Sequence, residues 1–192
     1  LTASEALDVL FTSTSYNNPE PIASDTNQVF IPTYFTPNPT PTSLGYSEQY
    51  FDVYSWWLKK GVSLVEIKPK LSFFFHSIFV FNYPDFASST DFGYDYLNLL
   101  DFYASGSIKQ LAKKMTRINA MHHYLNNNLN IAGSPNENYA REFLELFTIG
   151  KGPQDGAGSY TNYTEHDVQQ AARVLTGFSS IEVYERLNYI DS

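Results

Sequence analysis

Cysteine is absent from the 192 residues, which excludes a disulfide framework, thiolate metal sites and a cysteine nucleophile. Charge is scarce as well. Only 17% of residues are charged, and 20 acidic residues against 12 basic ones leave a net charge of −8. Such a chain offers no field to gather phosphates along a duplex, so nucleic acid is excluded as a partner. The basic residues fall mostly into two short groups, Lys59-Lys60 to Lys70 and Lys109 to Arg117, and both read as solvated helix faces. No run reaches the ~18 uncharged apolar residues of a membrane-spanning helix. The most apolar stretch, Leu71 to Phe81, is interrupted by His76 and reads as a buried core helix. The sequence opens without a basic segment followed by an apolar one, so no signal peptide is visible; one that existed has been removed or lies outside the sequence.

What is abundant is aromatic and uncharged polar. Hydrophobic residues make up 43% and aromatic residues 17%, with 15 Tyr and 15 Phe, enough to bury a core. Richness in Tyr, Asn, Ser and Thr, with little Lys and Glu, matches a secreted, periplasmic or surface protein better than a cytosolic one. No alternating pattern extends beyond four or five residues, so the expected architecture is mainly α: an irregular multi-helix domain carrying a long Pro/Thr-rich extended segment.

That segment covers residues 12–43, where Pro19, Pro21, Pro32, Pro37, Pro39 and Pro41 remove amide donors and disfavour helix before each proline. It is expected to be an extended arm or a surface-wrapping loop, and the interspersed Val29, Phe30, Ile31, Tyr34 and Phe35 favour wrapping. Residues 47–192 are expected to form the helical core portion. Before the arm, Ser4 is positioned to cap a short helix with Ala6, Leu7, Leu10 and Phe11 on one face. After it, a helix runs from Ser47 to Gly61. Ser63-Leu64-Val65-Glu66 has the form of a capping box, and the main helix there spans about Pro69 to Phe81. Asp91 to Ala104 and Ile108 to Thr116 form a helical pair around Ser105-Gly106-Ser107, Asn119 to Leu125 adds another turn or two, and Asn126-Asn127-Asn128 breaks the pattern.

The densest polar block follows. In PNENYAREFLELFTIGKG (135–152), Asn136 is the expected N-cap, Tyr139, Phe143, Leu146 and Phe147 form an apolar stripe, and Gly150 supplies the stop. Glu137, Arg141 and Glu145 recur every fourth residue, which stacks Arg141 between two carboxylates. In YTEHDVQQAARVLTGF (163–178), Thr164 and Asp167 make a capping-box variant and Gly177 a second stop. Together these two segments resemble the signature of the domain of unknown function 1800 family, which reads approximately Asn-Glu-Asn, apolar, Ala-Arg-Glu-Leu-x-Glu-Leu-Phe-Thr-Leu-Gly, then Tyr-Thr-Glu-x-Asp-Val-x-x-Ala-Ala-Arg-x-Leu-Thr-Gly. Weaker similarity covers LTASEALDVLF, KLSFFFHSIF and LAKKMTRINAMHHYLNNN. The resemblance implies a bacterial, often exported protein and part of a single, larger helical domain of which this chain is a fragment; it implies no reaction. Where the family pattern carries a second histidine two residues after the first, this sequence has Ile78, and positions i and i+2 do not share a helix face. No metal site is assigned to His76, which reads as a hydrogen-bonded core histidine and a candidate binding residue.

Two functional readings follow. The first is a binding or assembly component of the cell envelope or exterior, in contact with a protein partner, with the remainder of its own chain, or with glycan, since Tyr-rich surfaces suit such contacts. The second is a hydrolase-like enzyme with Glu137, Glu142 or Glu145 as acid and base, Arg141 or Arg173 as anion clamps, and Asn136 and Asn138 as binding residues. Against the second stands a purely structural role, for example pairing of Glu142 or Glu145 with Arg173. Neither reading has a Ser-His-Asp set, a phosphate loop, a zinc-protease helix or a dinucleotide fingerprint, and no cofactor is designated. A cation held by Asp and Glu carboxylates stays open.

Overall fold

The computed structural model describes residues 2–11, 46–63, 66–82, 90–157 and 159–178. The arm expected over 12–43 lies outside them. Among the described residues, eight α-helices and one two-stranded hairpin make a mainly α fold.

Helix α1 (Ala3–Phe11) is capped by Thr2 rather than by Ser4. Thr2 Oγ1 accepts from the amide of Glu5 (3.2 Å), and the amide of Thr2 donates to Glu5 Oε2 (2.7 Å), which satisfies two terminal donors reciprocally. Helix α2 (Tyr46–Ser63) runs through Gly61, whose cost in a helix is only ~1 kcal/mol, and buries Tyr50, Val53, Trp57 and Lys60. Helix α3 spans Ile67–Ile78 with Pro69 in its first turn, where the missing amide hydrogen is not required. The capping box expected over 63–66 falls partly outside the described residues: Ser63 belongs to α2 by its backbone, and Glu66, the residue before α3, makes no side-chain cap to it.

Helix α4 (Thr90–Tyr103) is the centre of the molecule. Phe92, Tyr94, Tyr96, Leu97, Leu99 and Leu100 are all buried, the pattern of a helix surrounded by others. It packs against α2, α3, α5 and α6, and truncating Leu97, Leu99 or Leu100 to Ala would cost about 2–5 kcal/mol. Helix α5 (Ile108–Met115) starts at Ser107, whose side chain accepts from the amide of Gln110, and buries Leu111, Ala112 and Met115. Helix α6 (Asn119–Tyr124) ends where Asn126 takes a left-handed conformation (φ 56°) before a 3-10 turn over Asn127–Leu129.

Helix α7 (Asn138–Glu142) continues into a π-helical turn, Phe143–Thr148. Strands β1 (Gln154–Gly156) and β2 (Ser159–Tyr160) form the antiparallel hairpin. Helix α8 (Glu165–Val174) packs on α7. Its capping box is the expected one, with Thr164 accepting from the amide of Asp167 and Asp167 accepting from that of Thr164. Gly177 follows with φ 86°, a conformation glycine adopts without a side-chain clash.

One charged residue departs from the solvated face read in the sequence. Lys60 is 7% exposed, ion-paired to Asp101 of α4 and set 4.3 Å over the Trp56 ring. Asp101 also accepts from Trp57 Nε1 at 3.1 Å. The partner lies 41 residues away in sequence, so helical spacing alone could not reveal it.

Candidate functional site

The polar block is built on a knot of asparagines. Asn130 is 1% exposed. Its Nδ2 donates to the carbonyl of Ala172 in α8 (2.8 Å), while its Oδ1 accepts from the amide of Asn136 (3.0 Å) and from Thr176 Oγ1 (3.3 Å). Two backbone partners fix which way this amide points. Asn130 Nδ2 also donates to Asn127 Oδ1 (3.3 Å), which leaves Asn127 Nδ2 facing His122 Nδ1 at 2.9 Å. His122 Nδ1 is therefore the acceptor and the ring is neutral. Burial first, and the neighbouring His123 second, lower its pKa to about 4.

Asn136 and Asn138 belong to the same joint. Asn136 Oδ1 accepts from the amide of Asn138 (2.9 Å), two residues on, which holds the amide at the start of α7. The residue that immediately precedes the helix is Glu137, which makes no side-chain cap. Asn138 Nδ2 donates to the carbonyl of Leu125 (3.1 Å). Asn136 thus spends its side-chain oxygen within its own turn, and Asn138 spends its side-chain nitrogen tying α7 to the end of α6.

The carboxylate ladder forms only in its first half. Arg141 bonds Glu137 at 3.3 Å, but its other partner is Glu165 at the start of α8, gripped in a fork: Nη1 donates to Oε2 at 2.9 Å and Nη2 to Oε1. That bond is the first cause of the upward shift of the Arg141 pKa and of the downward shift of Glu165. Glu145 points elsewhere because the backbone is wound i→i+5 from Phe143. The amide of Ile149 bonds the carbonyl of Leu144 (3.2 Å) and Thr148 Oγ1 that of Phe143 (2.6 Å), so four-residue spacing no longer stacks residue 145 over residue 141. Glu145 Oε1 pairs with Lys151 (2.6 Å) and its Oε2 accepts from Tyr163 (3.1 Å). The same winding turns Leu146 outward, at 57% exposure, while Tyr139 and Phe147 stay buried.

Glu142 is left over. Among the described residues its side chain makes no hydrogen bond and no ion pair, and its pKa is raised, first by partial burial and then by Glu145, against the opposing pull of Lys151 and Arg141. Arg173 makes no ion pair with this group among the described residues. It is exposed and bonds Gln170 of its own helix at 3.2 Å, so the expected pairing with Glu142 or Glu145 does not form. Three members of the cluster, Glu165, Lys151 and Tyr163, carried no role in the sequence reading. Only the position of Glu165 in the first turn of α8, where a carboxylate meets the helix dipole, marks one of them in advance.

His76 sits between α2 and α4. Tyr96, buried completely, donates its hydroxyl hydrogen to the carbonyl of Phe79 (2.6 Å), so it can only accept from His76 Nδ1 at 2.7 Å. The remaining lone pair, on Nε2, is taken by the Tyr54 hydroxyl. Trp57 stands edge-on to the imidazole at 5.3 Å between ring centres, and burial lowers the pKa. Both ring nitrogens are occupied by tyrosines, as a core histidine requires.

The opposite faces of Trp57 and α3 open to a groove. Trp57, Leu58, Gly61 and Val62 of α2 and Pro69, Lys70 and Phe73 of α3 enclose about 340 Å³, at the lower end of the range of small-molecule sites (about 300–1,000 Å³). Trp57 and Phe73 stack at 5.8 Å to form its floor. Val62 is 84% exposed, Phe73 and the neighbouring Phe74 55% each, and Phe51 64%. Exposed large apolar side chains around a groove, here Leu58, Val62 and Phe73, are unusual for a surface that stays in water.

Among the described residues no three His, Asp or Glu side chains group as metal ligands, and no helix is long and apolar enough to cross a membrane. These features define a mainly α domain in which hydrogen bonds of the polar joint tie α6, α7 and α8 together and an apolar groove opens between α2 and α3. The chain belongs to the family described as "Protein of unknown function (DUF1800)", whose family model matches residues 2–188. No curated protein and no solved structure matches the chain.

Proposed function

We propose that the protein is a binding or assembly component that works outside the cytoplasm and engages another protein through the α2–α3 face. The observation that carries this reading is the groove itself, with Leu58, Val62 and Phe73 exposed around a buried Trp57. Apolar area of this kind contributes about 25 cal/mol per Å² when removed from water, and aromatic anchors in pockets dominate interface energies. The polar, aromatic and charge-poor composition supports the compartment. The test is site-specific photo-crosslinking in the cell that makes the protein, from position 62 and from the exposed position 113. A discrete protein adduct, mapped to the groove and formed from 62 only, is expected, in an extracytoplasmic fraction. The same adducts from both positions, or none, would refute the docking face, and a cytosolic fraction would refute the compartment.

A hydrolase-like reading has one observation in its favour: the side chain of Glu142 makes no hydrogen bond or ion pair among the described residues, and its pKa is raised, first by partial burial and then by Glu145. A carboxyl that holds its proton more readily than usual is what a general acid needs. Glu142→Gln, assayed against a panel of ester, amide and glycoside substrates, separates the readings: an activity present in the native chain and lost in the variant is required for the enzyme.

A further inference from the structure

We propose that α5 carries a second docking surface, separate from the α2–α3 groove, which adsorbs the protein onto an anionic phospholipid layer through Lys109, Lys113, Lys114 and Arg117. The chain holds 20 acidic residues, yet none falls between Asp101 and Glu137, the stretch that carries these four of its 12 basic residues. The two acids that bound the stretch are already neutralised, Asp101 by Lys60 and Glu137 by Arg141. Lys109, Lys113 and Arg117 are exposed and Lys114 is half-buried. Among the described residues, none of the four side chains makes a hydrogen bond or an ion pair. The other basic group is broken up by contrast: Lys60 is paired with Asp101, Lys70 bonds the carbonyl of Glu66 at 3.2 Å, and Glu66 stands between Lys60 and Lys68 in the sequence.

Helix stability does not account for the α5 arrangement. Lys113 and Lys114 lie in the last turn, where a cation complements the helix dipole, but Lys109 lies in the first turn, where it opposes the dipole. Lys109 and Lys113 are four residues apart, as are Lys113 and Arg117, and like charges at that spacing repel. Violations of local helix preference in natural proteins concentrate at functional sites. The make-up of the face then selects the class of anion. Leu111, Ala112 and Met115, the apolar side of α5, are buried, and the outward residues Lys109, Gln110, Lys113 and Arg117 include no apolar or aromatic anchor. Protein interfaces are depleted in lysine and draw their energy from such anchors. A row of cations along about 12 Å of helix suits instead a fluid layer of phosphate groups that can move to meet each charge. Because α5 cannot insert its apolar side without leaving the core, the contact is electrostatic and stays at headgroup level. The net charge of −8 does not prevent it, since a screening length of ~8 Å at physiological salt removes the acids on distant faces from the balance.

The experiment is co-sedimentation of the full 192-residue chain with vesicles of phosphatidylcholine alone and of phosphatidylcholine mixed with phosphatidylglycerol, at low salt and at about 1 M salt, where the screening length shrinks to ~3 Å. Binding is expected to the mixed vesicles only, and to be lost at high salt. Each cation held near such a layer contributes about fivefold in affinity. Lys109→Gln with Lys113→Gln should therefore weaken binding roughly twenty-fivefold, while the charge-matched pair Lys59→Gln with Lys68→Gln should change it by less than about threefold. The α5 pair should keep or raise the thermal midpoint, since it removes a repulsion, which separates lost binding from lost folding. Equal losses from the two pairs, equal binding to pure phosphatidylcholine, binding that survives high salt, or no binding to the mixed vesicles at low salt would each overturn the proposal. Poly-glutamate bound with the same dependence on Lys109 and Lys113, while vesicles are not, would replace the lipid by an acidic polypeptide. None of these variants lines the groove between Val62 and Phe73, so failure here leaves the α2–α3 docking face standing.

Discussion

Protonation of His122 should unlock the asparagine joint, and the size of the effect follows from the structure. The neutral ring accepts from Asn127, whose amide is held in that orientation by Asn130, which is itself held by the backbone of Ala172 and Asn136. A proton on His122 Nδ1 would face the amide hydrogens of Asn127, donor against donor, in a site 2% exposed. The folded chain therefore refuses a proton that the unfolded chain accepts: the pKa is 6.5 in the open chain and about 4 in the fold. Because the folded value is the lower one, the contribution is complete above the unfolded pKa and is lost as pH falls from about 6.5 to about 4. The loss is about 2 kcal/mol at pH 5 and roughly 3 kcal/mol below pH 4. Urea unfolding at pH 7 and pH 5, compared between the native chain and His122→Gln, isolates this site from the carboxylates that titrate nearby. The native chain should lose about 2 kcal/mol more than the variant over that interval. An equal loss in both, or a His122 ring resonance that titrates near 6.5 in the folded protein, would refute the reasoning.

Other expectations concern stability. Asp101→Ala should cost about 3–5 kcal/mol in urea unfolding, because it leaves Lys60 buried without its counter-ion, while Lys60→Met should cost much less. Thr164→Ala removes the α8 cap and should lower stability by about 1 kcal/mol, visible as a drop of several degrees in thermal midpoint. Glu142→Gln should leave the midpoint at pH 7 unchanged or higher, since the fold disfavours the Glu142 charge and gives it no partner among the described residues; a loss of several degrees would assign Glu142 a structural bond.

The features legible in the sequence were those decided within one turn. The Thr164 box depends on residues three apart, and the Gly150 and Gly177 stops on a left-handed φ, of 70° and 86°, that glycine accepts. The mainly α fold follows from helical spacing around α4 and α5. The partners of Arg141 and Glu145 were not legible, because stacking every fourth residue presumes an α-helix and the chain winds as a π turn from Phe143. Lys60 looks solvated in the sequence because its counter-ion sits on another helix, and Asn127 looks only like a breaker because its use depends on Asn130 and α8. The α2–α3 groove exists only once Trp57 meets Phe73, which no spacing within either helix states.

The π turn also determines how the C-terminal half comes apart. Had the ladder been α-helical, one arginine would have bridged both glutamates, and any loosening would have spread through it. Instead Arg141 fastens α8 through Glu165, while Glu145 fastens the hairpin side through Lys151 and Tyr163. The two latches share no atom. The hairpin can lift while α8 stays docked on Val168 and Ala172, so amide exchange should report two opening events of different energy where a continuous ladder would give one.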